Sequence, residues 1–348
     1  MQQNVDLQPL NSFGLPARAR WFCAVDTLDT LQQALQFARV QALPVLVLGG
    51  GSNILLREDF PGLVLHMQLR GLQVLEDDGD TVRVQVACGE NWHAFVSECL
   101  AQGWHGLENL ALIPGSVGAA PIQNIGAYGV EAGERIESVL VWNRDTSAVE
   151  QIAAADCEFA YRDSVFKRQY RDSRIILHVV FRLQRHAALN LSYSTLAQAL
   201  AGQQPVTPQA VFDAVCRIRR SRLPDPAELG NAGSFFKNPV VSAACHRELQ
   251  QRFGDVPGHA VDAGAEAPVK LPAAWLIERA GWKGRRLAQA GVYEKQALVL
   301  VNHGGARAQD VVDLAQAIMA DVRKQFGIAL EPEVQWVPAP QGEDARDC

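Results

Sequence analysis

The chain has 348 residues, 48% of them hydrophobic and 20% charged, with 32 Lys and Arg against 38 Asp and Glu for a formal net charge of −6. That length suffices for two or three domains with their own cores, the composition excludes a disordered or coiled-coil chain, and the acidic surplus counts against a general nucleic-acid binder, which needs a basic footprint. No apolar run approaches the roughly 18 residues needed to cross a bilayer, and MQQNVDLQPL lacks a basic stretch leading into an apolar one, so a cytoplasmic protein without membrane insertion is expected.

In chain order, the N-terminal region alternates helix and strand. Leu28, Leu31, Leu35 and Ala38 recur at helical spacing with Asp29 in the first turn, and PVLVLGGGSN (44–53) reads as a buried strand ending in a glycine turn, giving a β-α-β start. Short strands follow between 63 and 87, best seen in TVRVQVA, where Val82, Val84 and Val86 share a face, and NWHAFVSECLAQ (91–102) predicts a helix. From 104 to 130 glycine and other small residues leave little room for regular structure. SVLVWN (138–143) and RIILHVVFRLQ (174–184) predict strands flanking the polar YRDSVFKRQYRD. TPQAVFDAVCRIRRS (207–221) predicts a helix with Thr207 as N-cap and Pro208 at the first helical position. RLPDPAELGNAGSFFKNP (222–239) reads as a domain boundary leading into a functional loop. ALVLVN (297–302) is a strand, and 307–327 an amphipathic helix stopped by Gly327.

Seven cysteines with no C-x-x-C, and eight histidines without H-x-H or H-x-x-x-H spacing, predict reduced, mostly buried thiols and a metal-free site. The 28 glycines and 17 prolines cluster in three segments. In GGGSN, a strand runs into consecutive glycines, whose N–H groups can form a nest for phosphate oxygens; the alternative is a flexible turn. IPGSVGAAPIQNIGAYG is a second segment of this kind, and two such loops suit a long ligand carrying a diphosphate, or two tight interdomain loops. In GNAGSFFKNP, Ser234 stands among small residues without a base placed by spacing, which favours a proton donor to carbon over a nucleophile; the plain alternative is a helix N-cap. Arg162 offers a planar fork suited to a carboxylate or enolate, against a simple surface pairing with Asp163. Glu331 and Glu333, alternate residues in LEPEV, either face one site together or are solvated.

Together these segments resemble one family, the UDP-N-acetylenolpyruvoylglucosamine reductases of peptidoglycan synthesis (MurB). The resemblance follows the family's order over nearly the whole chain: NSFGLPARA (11–19), LGGGSNILL (48–56), GLENLALIPGSVGAAPIQNIGAYGVE (106–131), YRDSVFK (161–167), RLPDPAELGNAGSFFKNPVVS (222–242) and LEPEV (330–334). It implies an α+β protein with an FAD-binding fold of the vanillyl-alcohol-oxidase (PCMH) type in two domains, 1–69 with 327–348 and 70–212, plus a third α+β substrate-binding domain at 222–326. It also implies that Gly49, Gly50, Gly51, Ser52 and Asn53 cradle the FAD diphosphate. Ile113, Pro114, Gly115, Ser116, Gly118, Ala119, Gln123, Asn124, Gly126, Ala127 and Tyr128 would line the rest of the cofactor. With Ser52 and Asn53 following the glycines, FAD is expected to be noncovalent.

The implied reaction is reduction of a UDP-N-acetylglucosamine enolpyruvate. NADPH reduces FAD, hydride passes from the flavin to C3 of the enolpyruvyl group, Arg162 and Glu333 polarise its carboxylate region, and Ser234 protonates C2 to give UDP-N-acetylmuramate. Tyr193, in SYST, is the expected lid of the branch with a tyrosine-bearing substrate loop, and Arg222, Asn238, Lys283 and Gln296 fall at positions associated with the diphosphate and uridine. Arg222 departs from a lysine common there, Gln335 from an arginine and Gly50 from a glutamate found in some relatives. The protein is expected to act as a monomer. The competing readings are a flavin oxidase on the same fold and a sugar-nucleotide binder without catalysis.

Overall fold

The computed structural model describes residues 1–339 except 187, 262 and 265; of the tail PAPQGEDARDC (338–348), which the sequence leads one to expect to fray, all but the first two residues lie outside the described residues. The chain packs as two compact units, the first formed by Met1–Val5, Ala19–Gly51 and Pro61–Ser221, the second by Asp6–Arg18, Ser52–Phe60 and the chain from Arg222 onward.

The first unit contains two sheets. One has the strand order Gln2–Asp6, Arg18–Val25, Phe60–Met67, Val45–Leu48, and its last two strands run parallel with Val45 opposite Leu63. The helix Leu28–Val40 connects Arg18–Val25 to Val45–Leu48, completing the expected β-α-β start; Thr27 caps it and Leu31, Ala34 and Ala38 form its buried stripe. The other sheet is antiparallel, ordered Ala148–Ala153, Ile136–Asn143, Arg174–Gln184, Thr81–Ala87, Leu72–Asp77. Its centre is the register Val139 opposite Val179 opposite Val86, and Val82, Val84 and Val86 are fully buried, as the alternation in TVRVQVA requires. The helix Trp92–Ala101 packs on this core through Trp92, Phe95, Val96 and Cys99, with Phe95 and Phe181 rings 4.9 Å apart. The helix Pro208–Arg222 adds Val211, Ala214, Val215 and Ile218, and Thr207 Oγ1 accepts the Ala210 N–H at 3.2 Å as an N-cap should. Residues 104–130 hold short turns, Glu108–Leu110 and Val117–Ala119, and a two-residue ladder of Gly126–Ala127 with Val130–Glu131.

The second unit is built on the sheet Gly230–Ser234, Val299–Asn302, Ala290–Val292, Arg286–Leu287. The helix Ala308–Phe326 buries Val311, Leu314, Ala315, Ile318 and Val322 and ends at Gly327, whose φ of 74° needs glycine. Helices Ala243–Phe253 and Ala273–Arg279 were not legible in the sequence, because the first is polar on most of its surface and the second is too short to show a period. Strands Ile54–Leu56 and Gln335–Val337 pair in parallel and bring the LEPEV segment back beside the residues that follow the glycine turn.

Phe181 is fully buried where the five-stranded sheet meets Trp92 and Phe95. Phe181→Ala is expected to lower unfolding stability by about 3–5 kcal/mol, measured as a shift of the denaturation midpoint at unchanged m-value.

Candidate functional site

In the first unit the strand Val45–Leu48 delivers its glycine turn against the turn at 115–118, Gly49 meeting the Ser116 side chain and Gly50 the Gly115 backbone. A Cβ built on Gly49 would lie 2.5 Å from Ser116 Oγ, and one on Gly50 2.9 Å from Gly115 Cα. A side chain at 50 needs the 115 turn to shift. Gly51 and Gly115 have φ of 62° and 117°. The N–H groups of Gly50, Gly51 and Ser116 have no acceptor among the described residues, although Gly51 and Ser116 are buried. Buried orphan N–H groups are rare, and a turn that gathers them fits the oxygens of a diphosphate.

The second small-residue segment is anchored from its flanks. The N–H of Val117 bonds Glu90 O, that of Gly118 bonds Cys88 O, and that of Trp92 bonds Gly115 O at 3.1 Å. Gly118 has no space for a Cβ, which would sit 2.5 Å from Cys88 Cβ. Asn124, buried with φ 45°, donates to Glu131 Oε2 at 2.7 Å and Ala160 O at 3.1 Å and accepts from Gly133 N–H at 2.8 Å. Leu112, Tyr128 and Arg162 are also left-handed, with φ of 59°, 49° and 53°. Such backbones are costly and persist only where their surroundings over-determine them. Ile113, Pro114, Ala119, Gln123 and Ala127 lie on the same continuous segment between these anchors, and Pro114 is exposed.

Arg162 does not pair with its neighbour Asp163. Its Nη2 donates to Gly126 O at 2.7 Å, while Asp163 and Glu158 both pair with Arg168. Tyr193 is 45% exposed and packs edge-on against Tyr128 at 5.3 Å between ring centroids. Its segment is tied to the cofactor candidates by Asn109, whose Nδ2 donates to Tyr128 O at 2.8 Å and Asn190 O at 2.9 Å, and by Asn190 Nδ2 to Gly129 O at 2.8 Å. Asn109 lies within the 106–131 segment without being singled out there, and Asn190 carries no motif that marks it in the sequence.

In the second unit Ser234 ends the strand Gly230–Ser234 and caps no helix. The strand is bulged between Asn231 and Ser234, with Gly233 at φ 70°, and buried Asn231 fixes the bulge: its Oδ1 accepts the Gly233 N–H at 2.9 Å and its Nδ2 donates to Leu229 O at 2.8 Å. The NSFG segment locks this loop from the other side. Ser12 Oγ donates to Asn231 O at 2.6 Å, Asn231 N–H donates to Ser12 O at 2.9 Å, and a Cβ on Gly230 would lie 2.2 Å from Phe13 O. Phe235 and Phe236, both buried, anchor the far side of Ser234.

Glu333 is half-buried and directly follows Pro332, which forms an isolated antiparallel bridge with Phe236. Its N–H donates to Phe235 O at 2.8 Å, and its O accepts from Asn53 Nδ2 at 3.4 Å. This places Asn53, Glu333 and the Ser234 strand together. Glu331 is set apart, exposed and paired with Lys237 at 2.5 Å. Asn238 Oδ1 accepts the Ala273 N–H at 2.9 Å, Lys283 pairs with Glu278 at 3.0 Å, and Gln296 Oε1 accepts the Leu298 N–H at 3.4 Å. Arg222 is the exposed last residue of its helix.

Burial pushes the Cys88 and Cys157 thiols up to about 12, so they stay protonated and unreactive at neutral pH. Among the described residues no group of three His, Cys, Asp or Glu side chains could hold a metal ion, and no helix is long and apolar enough to cross a membrane.

The chain matches two family models, an FAD binding domain over residues 19–150 and the C-terminal domain of UDP-N-acetylenolpyruvoylglucosamine reductase over 225–337. It is 51% identical to the UDP-N-acetylenolpyruvoylglucosamine reductase of Paraburkholderia xenovorans, covering 94% of this chain and 95% of that one. It is 49% identical to that of Pseudomonas putida, covering 95% and 97%. The crystal structure of the MurB reductase from Thermus caldophilus superposes with a TM-score of 0.66 over 96% of this chain and 98% of that one, at 24% identity, which supports the fold.

A side chain at position 51 must adopt the left-handed φ of 62°, at a cost on the order of 1–3 kcal/mol. Gly51→Ala is therefore expected to lose most of its bound flavin, read from the absorbance of the purified protein. Gly202→Ala, with the same backbone constraint at φ 87° and open space around it, should retain the flavin.

Proposed function

The chain belongs to the UDP-N-acetylenolpyruvoylglucosamine reductase family and is an FAD-dependent oxidoreductase, and from that premise we propose how its residues carry the reaction. The substrate is UDP-N-acetyl-3-O-(1-carboxyvinyl)glucosamine, the hydride donor NADPH, and the product UDP-N-acetylmuramate for peptidoglycan precursor synthesis. FAD, when bound, would supply the hydride chemistry between NADPH and C3 of the enolpyruvyl group; every other task falls to the protein. The glycine turns at 49–51 and 115–118, with Ser52 and Asn53, hold the cofactor noncovalently through backbone N–H groups.

The observation that carries the chemical assignment is the placement of Ser234 on a bulged, over-determined strand end with Glu333 bonded through its N–H to the O of the next residue, Phe235. Hydride arrival at C3 leaves an electron pair at C2 that delocalises into the carboxylate. Arg162 and Glu333 polarise that carboxylate region, so their field is aimed where charge develops. A serine hydroxyl is a weak acid, but the C2 carbanion is a far stronger base, and transfer of the Ser234 proton to C2 completes saturation of the double bond. Tyr193 closes over the sugar nucleotide from its seat on Tyr128, and Arg222, Asn238, Lys283 and Gln296 receive the diphosphate and uridine. The three-domain division of the sequence is kept within this reading, supported by the two separate sheets of the first unit. The enzyme works as a cytoplasmic monomer.

The purified protein is expected to be yellow, to bleach anaerobically with NADPH and to regain colour on addition of the enolpyruvyl substrate. Recovery with oxygen alone would support an oxidase instead. For Ser234→Ala, stopped-flow measurement should give normal flavin reduction by NADPH and a second half-reaction slowed by about 10²-fold or more. Equal loss in both halves would assign the serine a structural role.

A further inference from the structure

Leu112, the left-handed residue that precedes Ile113 and Pro114, is held at both ends by side chains from two helices. Its N–H donates to His93 Nδ1 at 3.0 Å, and its carbonyl accepts from Arg219 Nε at 3.2 Å. His93 is the second residue of Trp92–Ala101, the helix whose first N–H bonds Gly115 O, so the same helix end grips both sides of the turn. The imidazole stacks on Phe212 of the Pro208–Arg222 helix, rings 5.4 Å apart and 14° from parallel, which fixes its rotamer. Accepting through Nδ1 requires that nitrogen to be unprotonated. Burial lowers the His93 pKa, and the Arg220 and Arg219 charges lower it further. Arg219 also bonds the Tyr128 side chain, linking this clamp to the residue under Tyr193.

We propose that His93 is a positioning residue for the flavin: its Nδ1, as acceptor, holds Leu112 in the left-handed conformation from which the 113–118 segment is launched onto the glycine turn. This rests on the reading that 113–118 lines FAD. A left-handed leucine is disfavoured by clash of its Cβ with the backbone, so without the acceptor this peptide relaxes and the unpaired N–H is left half-buried.

Two substitutions separate the acceptor from the ring. His93→Phe keeps the stack on Phe212 and removes the acceptor; His93→Asn removes the ring but keeps an oxygen, Oδ1, where Nδ1 stands. FAD affinity of each holoprotein is read from recovery of free flavin fluorescence on dilution, and fold integrity from melting of the apoprotein. His93→Phe is expected to weaken FAD about tenfold with little change in apoprotein melting, and His93→Asn to stay within about threefold of the parent. Weakening in both variants, or in His93→Asn alone, assigns the residue to packing and overturns the inference. Retention of flavin by Gly51→Ala overturns the cofactor assignment of the turn and this inference with it. Loss there with full retention in His93→Phe overturns this inference alone.

Discussion

Two turns that meet backbone to backbone set the conditions for the rest of the first unit. Gly49 and Gly50 approach Gly115 and Ser116 so closely that a Cβ has no space, and N–H groups with no acceptor among the described residues belong to this contact. A side chain would separate the turns, and glycine has none. Each turn is carried by a rigid element. Val45–Leu48 is held in a parallel ladder, and the 115–118 turn is sewn to 88–92 by three backbone hydrogen bonds. Leu112, Asn124, Tyr128 and Arg162 are left-handed in the segments beyond this contact. Each is held by specific partners, which is how strain is retained at a site without flexibility.

The second unit solves a related problem for one hydroxyl. Ser234 must be presented at a strand end and still be fixed, and the bulge at Gly233 does the first while Asn231, Ser12 and the buried Phe235 and Phe236 do the second. The ladder from Phe235 to Glu333 sets the carboxylate bearer beside it without any charge in the core. A net charge of −6 does not count against an anionic ligand, because recognition depends on local cations rather than on the sum.

Much of this is legible in the sequence where one periodicity dominates. Leu28–Val40, Thr81–Ala87, Pro208–Arg222 and Ala308–Phe326 each bury one face, and their patterns show it. The glycine turns are legible as candidates because only φ or close approach explains such clusters. What the sequence does not display is pairing across distance. The Arg219 bond to Leu112 spans 107 residues, and Asn109 reaches Asn190 across 81. Neither leaves a period or a motif. Local adjacency also misleads: YRD suggests an Arg162 and Asp163 pair, but Arg162 bonds the Gly126 carbonyl while Asp163 pairs with Arg168. In LEPEV the alternation is present and both glutamates bond the 235–237 backbone, yet the side chains differ: Glu331 is exposed and pairs with Lys237, while Glu333 is half-buried.

Amide hydrogen exchange, resolved to single residues with and without FAD, tests the central claim most directly. If the glycine contact is the diphosphate cradle, the N–H groups of Gly50, Gly51 and Ser116 exchange markedly more slowly once FAD is bound, while that of Gly202, in a turn away from the site, keeps its rate. Tight FAD binding that leaves those three amides exchanging as before would contradict the account.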